Sequence, residues 1–372
     1  MLCACDGQGN KIGSLNLPEL ISGGGAWSHF YNNEDKLSTD IPLRTIRLAL
    51  RYGIRAFDTA PYYDNSEIIL GTVLKALEPE FPRDSYQLIT KVGRYGPTKS
   101  DFDYSPEVIR RSVRRSLIRL NTEYLDIVYL HDVEFVAPCV SPRVEGNHES
   151  ALGEEAAAYG VAPEQYYSDS GSSLSEGDER VLAAIESLRA LQAEGLIRYV
   201  GISGLPLPAL LRTSLLVLQH TGRPLDAVQS YAHLTLQNTT TSKFAQALRS
   251  RAQVRQVLAA SPLGMGLLSP SSPAHSSPPV WHPASEKVRE AAREAVRAIG
   301  ENESALVAVA WSVLEATTTT MTTREGGGKG GKGVHAAVAA WRWAKDETRR
   351  EELERKAALA RGVFERTGTP DG

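Results

Sequence analysis

The feature that most constrains this chain is an alternation of short, apolar, β-branched runs with longer amphipathic stretches. Gln87-Leu88-Ile89-Thr90, Asp126-Ile127-Val128-Tyr129-Leu130, Tyr199-Val200-Gly201-Ile202 and Asp226-Ala227-Val228-Gln229 are apolar almost throughout and bounded by polar residues. Strands covered on both faces read this way, because each side of the pleat meets other protein. Helical patterns lie between them. Ser105-Pro106 opens one, as N-cap and first-turn proline. Ile109, Val113, Leu117 and Leu120 then share a face, with Arg110, Arg111, Arg114 and Arg115 mostly away from it. No aromatic residues interleave with these arginines, so they read as a solvated helix face and not as a nucleic-acid surface. A second helix is expected over 181–194, with Gly195 as its stop.

Strands and helices in strict alternation give a parallel sheet with right-handed crossovers. Strands are expected near residues 18–23, 55–58, 87–91, 126–130, 199–203, 227–230, 255–260 and 317–322. Eight such units favour a closed (β/α)8 TIM barrel, in one α/β domain over 15–366, above an open doubly wound sheet. Residues 1–14 are expected to be a flexible N-terminus. The 136–178 stretch is rich in Ser, Gly, Pro and acidic residues and has little periodicity, so it is expected to be a mobile loop over the barrel mouth or a disordered insert. Residues 267–284 read as a second, proline- and serine-rich loop containing Trp281, with Ser285-Glu286 starting a helix.

Composition narrows the function. Net charge is −3, so no positive field gathers phosphates, which argues against nucleic acid or an anionic membrane as partner. No apolar run approaches the roughly 20 residues of a membrane span, and the first residues lack a signal-peptide pattern. The three cysteines, Cys3, Cys5 and Cys139, form no CxxC pair, which suits a reducing compartment and makes the cytoplasm the default. Cys3-Ala-Cys5 has no clustered partner ligands, so no metal is expected.

The strongest local signal is Ala56-Phe57-Asp58-Thr59-Ala60-Pro61-Tyr62-Tyr63, a strand ending on a carboxylate and a loop presenting a tyrosine. Lys91 ends the 87–91 strand, and His131 directly follows the 126–130 strand. In a parallel barrel these strand ends share one face, the face on which active sites form. Oxidising an alcohol requires a group that takes the hydroxyl proton as hydride leaves the carbon. Tyrosine, with an ordinary pKa of about 10, is a poor base unless a neighbouring ammonium stabilises its phenolate. Lys91 is the expected ammonium, Asp58 its ion-pair partner, and neutral His131 the group that orients the substrate oxygen. Singly, each residue has an ordinary role: a turn cap, a surface aromatic, a solvated strand end, a loop pair. Four complementary types at corresponding strand ends are hard to produce by accident.

That order of residues resembles the aldo-keto reductases, which carry an Asp, Tyr, Lys, His tetrad on a (β/α)8 barrel. The stretches that carry the resemblance are GIRAFDTAPYYDNSEIILG (53–71), LITKVG (88–93), LDIVYLHDVE (125–134), GLIRYVGISG (195–204), AVQSY (227–231) and ASPLGMGLL (260–268). LHDVEF, GISGLPLP and the stretch from SPLGMGLL to WHPA look most like the branch of sugar 1-dehydrogenases, which includes D-arabinose dehydrogenase and L-galactose dehydrogenase. The resemblance implies oxidation of an aldose at its anomeric carbon to an aldonolactone, with NAD or NADP as cofactor and NAD slightly favoured.

It also implies cofactor contacts at Gly25, Ala26, Ser203, Gly204, Gln229, Ser261, Pro262, Leu263 and Gly264. Ser203 and Gln229 would meet the nicotinamide carboxamide and Ser261 to Gly264 the pyrophosphate. Gly204 replaces the asparagine of many members, and Ala260 stands where many carry an aromatic against the nicotinamide. Trp27, Tyr62 and His131 would line the substrate pocket. The Gly-rich segment 324–333 departs from the family pattern. Its Gly326, Gly331 and Lys332 imitate a P-loop, but Gly333 follows where Ser or Thr is needed. Arg324, Lys329 and Lys332 are the candidates to meet a 2′-phosphate. Two other readings stand beside this one: an NADPH-dependent reductase of small aldehydes such as pyridoxal, and a non-catalytic barrel that holds cofactor.

Overall fold

The computed structural model describes residues 11–12, 14–32, 34–139, 142, 147–167, 174–269, 282–300, 303–318, 322–326, 344 and 346–367. Eight parallel strands close into a barrel: β3 (Leu20–Gly23), β4 (Ala56–Asp58), β5 (Gln87–Val92), β6 (Leu125–Leu130), β7 (Ile197–Gly204), β8 (Ala227–Tyr231), β9 (Gln256–Ala260) and β10 (Thr322–Gly326). β10 pairs with both β9 and β3, which completes the ring. The expected (β/α)8 fold is therefore the observed one, and seven of the eight strands lie where the apolar runs placed them. The last does not. Residues 317–318 belong to a helix, and the strand begins at Thr322, the last residue of the 317–322 stretch expected to form it.

An antiparallel hairpin of β1 (Lys11–Ile12) and β2 (Leu17–Pro18) precedes the barrel. Its Leu15 and Leu17 join Ile21, Ala56, Ile89, Ile127, Tyr129, Ala227 and Leu258 in an apolar cluster inside the barrel. These are the alternate, inward-pointing residues of the strands, and they fill the interior below the site. A larger outer core lies between the strands and the helices. At the N-terminal rim, Asp126 accepts from Leu88 N, Arg83 and Arg198, each at 2.8 Å, and so ties neighbouring strands on the face opposite the site.

The helices are α1 (Glu34–Leu37), α2 (Ile41–Arg51), α3 (Ser66–Leu77), α4 (Pro106–Arg119), α5 (Glu164–Tyr167), α6 (Glu176–Ala193), α7 (Leu207–Thr221), α8 (Thr241–Ser250), α9 (Glu286–Ile299) and α10 (Ser304–Thr318), then a C-terminal helix, Arg350–Thr367. Ser105 stands at the N-cap of α4, but its hydroxyl makes no capping bond. The α4 arginines pair with Glu107 and Glu194 on an exposed face, as a solvated helix does. Ser285 does cap α9, accepting from Val288 N. No described helix is long and apolar enough to cross a membrane.

Of the 136–178 stretch, residues 136–139, 142, 147–167 and 174–178 are described. Within it, 147–167 holds a 3-10 turn at Glu149–Leu152 and the helix α5, and it buries Ala151, Tyr159 and Val161 completely. Three apolar anchors suffice where periodicity is missing. Trp281 and residues 327–333 lie outside the described residues.

α3 and α4 touch through Gly71, where a Cβ would sit 2.1 Å from Arg119 O and 2.6 Å from Leu120 Cα. Both are backbone atoms and cannot swing aside. Gly71→Ala is therefore expected to destabilise the fold by about 3 kcal/mol, the upper end of overpacking costs, read as a lower denaturant midpoint. An unchanged midpoint would mean that the helices are not in this contact.

Candidate active site

Alternation along β4 turns Ala56 and Asp58 into the barrel, with Asp58 in register with Gly23 and Ile89. The chain then turns sharply: Thr59 N donates to Ile89 O at 2.9 Å, Tyr63 N to Ala60 O at 3.0 Å, and Ser66 N to Tyr63 O at 3.0 Å. Thr59 and Ser66 hydroxyls pair at 2.8 Å, and Ser66 donates to Gly24 O at 2.7 Å, so the loop that presents Tyr63 is bolted to the end of β3.

Lys91, on β5, is 1% exposed, and its ammonium pairs with Asp58 Oδ1 and donates to Thr59 O at 3.0 Å. A charge removed from water needs such compensation, and here a carboxylate and a carbonyl supply it. The same ammonium lies 4.9 Å from the centre of the Tyr63 ring. His131 follows β6, 3% exposed, and its ring meets that of Tyr63 edge to face at 5.7 Å. Tyr104 donates to His131 O at 2.7 Å and fixes the turn from which the imidazole projects. Asp58, Tyr63, Lys91 and His131 are thus brought together from three successive strand ends.

The predicted cofactor residues fall into two groups. Ser203 and Gln229 are register partners on β7 and β8, both nearly fully buried. Gln229 also donates to Asp58 Oδ2 at 2.8 Å, a link from the sixth barrel strand to the second that spacing alone does not reveal. Gly25 and Ala26 lie in the 3-10 turn Gly24–Trp27 after β3, while Ser261, Pro262, Leu263 and Gly264 form a tight turn after β9. In that turn Gly264 N donates to Ser261 O at 2.9 Å and Met265 N to Ser261 Oγ at 2.8 Å, so some of its amides serve the turn itself. A hydroxyl that accepts one bond keeps its own proton to donate, and Ser261 retains that capacity toward an anion. Of the two expected aromatic walls, Tyr62 is half-buried with its ring 6.0 Å from that of His131. Trp27 is 4% exposed and packs in the outer core.

Three site residues escaped the sequence reading. Arg94 lies three residues beyond Lys91, its guanidinium 3.8 Å above the Tyr62 ring and paired with Asp132. Asp132 adjoins His131 in sequence, and its Oδ2 is 3.7 Å from His131 Nε2. Glu134 explains Gly204: a Cβ at 204 would fall 2.0 Å from Glu134 Oε2, and Gly204 has φ +153°. The space a side chain would take there holds a carboxyl from the neighbouring strand-end loop. The signal for Arg94 and Asp132 was adjacency to the tetrad at strand ends, whereas nothing local marks Glu134.

Burial, and then the charge of Asp132, push the Glu134 carboxyl well above its ordinary 4.5. The stability that this neutral acid contributes is complete below 4.5 and is lost as pH rises through the raised value. Glu134→Gln keeps the shape without the titration. The variant is expected to unfold at a higher temperature than the parent at pH 8, on the order of 1–3 kcal/mol more stable, with the gain gone at pH 4. A gain of equal size at both pH values would show that charge is not its source.

Residues 20–325 match the aldo/keto reductase family. The chain is 34% identical over 291 residues to D-arabinose 1-dehydrogenase of Saccharomyces cerevisiae, covering 77% of this chain and 72% of that protein. It is 35% identical over 262 residues to L-galactose dehydrogenase of Arabidopsis thaliana, covering 70% of this chain and 65% of the plant protein. Among solved structures, an aldo-keto reductase from Bacillus halodurans superposes with a TM-score of 0.59 at 19% identity, over 93% of this chain and 95% of the other. The glycerol dehydrogenase of Gluconobacter oxydans gives a TM-score of 0.57 at 21% identity, over 92% of each chain. At that identity the superpositions speak for the fold alone.

Proposed function

Because the chain belongs to the aldo/keto reductase family of NAD(P)-dependent oxidoreductases, we propose that it oxidises an uncharged aldose at the anomeric carbon to an aldonolactone. Bound nicotinamide supplies the hydride acceptor. The anomeric C–H bond breaks with its electron pair, the hydroxyl proton passes to the Tyr63 oxygen, and a C=O bond forms at the same carbon. The ring oxygen stays in place, so the product is a lactone.

The observation that carries this reading is the Lys91 ammonium 4.9 Å from the Tyr63 ring, held there by the buried Asp58. A fixed positive charge stabilises negative charge on the phenol oxygen during proton transfer, in a site where burial keeps screening low. His131 is the second polar group beside Tyr63 and is assigned the substrate oxygen. Tyr62 is assigned to the wall of the sugar pocket, whereas Trp27, expected there, is packed in the outer core.

Ser203 and Gln229 would hold the carboxamide, which needs a donor and an acceptor at fixed spacing, and their neighbouring register positions suit it. Gly25, Ala26, Gly204 and the turn of Ser261, Pro262, Leu263 and Gly264 complete the proposed cofactor contacts. NAD is slightly favoured over NADP on the resemblance of LHDVEF, GISGLPLP and the stretch from SPLGMGLL to WHPA to the sugar-oxidising branch. The cytoplasm is the proposed compartment, since the three cysteines require no oxidising environment.

The test offers NAD and NADP separately with a panel of aldoses and follows nicotinamide absorbance, trapping the product before hydrolysis. Reduction with at least one aldose, faster with NAD and yielding the lactone, is expected. Reduction of small aldehydes with NADPH in the absence of any aldose oxidation would replace the proposal with the reductase reading. Tight cofactor binding with neither reaction would replace it with a non-catalytic barrel.

A further inference from the structure

Above the proton-transfer residues the barrel mouth carries a second charged pair. Arg94 and Asp132 stand on the loops after β5 and β6, and their side chains are 18% and 15% exposed. They are open enough to meet a ligand and sheltered enough that the contact is not washed out by water. The carbon centre of the Arg94 guanidinium lies 3.8 Å over the Tyr62 ring, with those of Phe102 and Phe135 at 5.4 and 5.8 Å. Three rings packed around the guanidinium restrict its movement. Asp132 has φ +53°, a left-handed conformation that costs energy in a residue other than glycine. That backbone places its carboxylate between Arg94 and His131.

We propose that Arg94 and Asp132 form the subsite that recognises the hydroxyls of the substrate beyond its reacting carbon, and that they set selectivity for a neutral polyol. A pair of sugar hydroxyls needs one rigid donor and one acceptor side by side. A guanidinium paired with a carboxylate presents both. The guanidinium charge is already matched by Asp132, so the subsite offers no unpaired cation to attract an anionic substrate. The inference rests on the sugar reading above.

The test measures kcat/KM for the best aldose and for each of its monodeoxy analogues, in the parent protein and in Asp132→Asn and Arg94→Lys, alongside cofactor affinity by fluorescence titration. The parent is expected to prefer the full sugar over at least one deoxy analogue by about tenfold or more, the size of a hydrogen bond to a charged group. In both variants that ratio falls toward one, through KM more than kcat, while cofactor Kd stays within about twofold. Ratios that survive in the variants overturn the subsite and leave the sugar reading intact, as does a parent that fails to discriminate at any hydroxyl. A loss of cofactor affinity equal to the loss of turnover assigns the pair a structural role instead. A parent inert with every aldose removes the sugar reading and this inference with it.

Discussion

Tyr63→Phe is expected to lower kcat by about two to four orders of magnitude and to leave nicotinamide affinity unchanged within a few-fold. The change deletes one oxygen at the protein's only proposed point of proton transfer, and general acid–base groups contribute on that scale. Tyr63 is half-buried in a loop whose turn bonds are backbone to backbone, so the variant keeps the fold and the neighbouring ring contact with His131. Steady-state kinetics with fluorescence titration of the cofactor checks both halves. Retention of a tenth or more of the parent rate would move the proton to another group.

Lys91→Met is expected to act on stability as strongly as on chemistry. It leaves Asp58, which is 0% exposed, without its cation, and the 2.8 Å bond from Gln229 compensates only part of the charge. Removing one partner of a buried pair costs about 3–5 kcal/mol, because the other charge stays out of water. The denaturant midpoint should fall accordingly, and turnover should be lost. Adding Asp58→Asn to Lys91→Met removes the stranded charge, so the double variant should regain much of the stability and none of the activity. A double variant no more stable than the single one would show that the loss comes from packing and not from charge.

The barrel was legible because its strands are buried on both faces, which leaves near-continuous apolar runs such as Ile127 to Leu130 that loops do not produce. The last strand was displaced because the threonine run after Ala316 has strand-forming side chains, yet α10 continues through Thr318. Val313, Leu314 and Ala316 are buried in the core, and that packing outweighs the local preference of the threonines. The structure of 147–167 left no sequence pattern for the opposite reason. Its order comes from isolated anchors, Ala151, Tyr159 and Val161, against neighbouring elements, and isolated anchors leave no period to detect.

The tetrad positions were readable since each is tied to a strand end, and the parallel topology puts all strand ends on one face. What spacing does not carry is partnership across the barrel. Gln229 on Asp58 and Glu134 against Gly204 join residues far apart in the chain, and each depends on the closed geometry that only the folded barrel supplies. Gly204 was noticed as a missing side chain, while its physical meaning, room for a neighbour's carboxyl, is visible only in three dimensions.

The central claim is that hydride leaves the anomeric carbon of an aldose on the face presented by Tyr63, Lys91 and His131. An aldose deuterated at that carbon, incubated with the protein and oxidised nicotinamide cofactor, tests it by mass analysis of the reduced nicotinamide. One deuterium in the reduced cofactor, at a rate abolished by Tyr63→Phe, is the predicted result. Reduced cofactor free of deuterium, or none formed with any aldose, would contradict the claim.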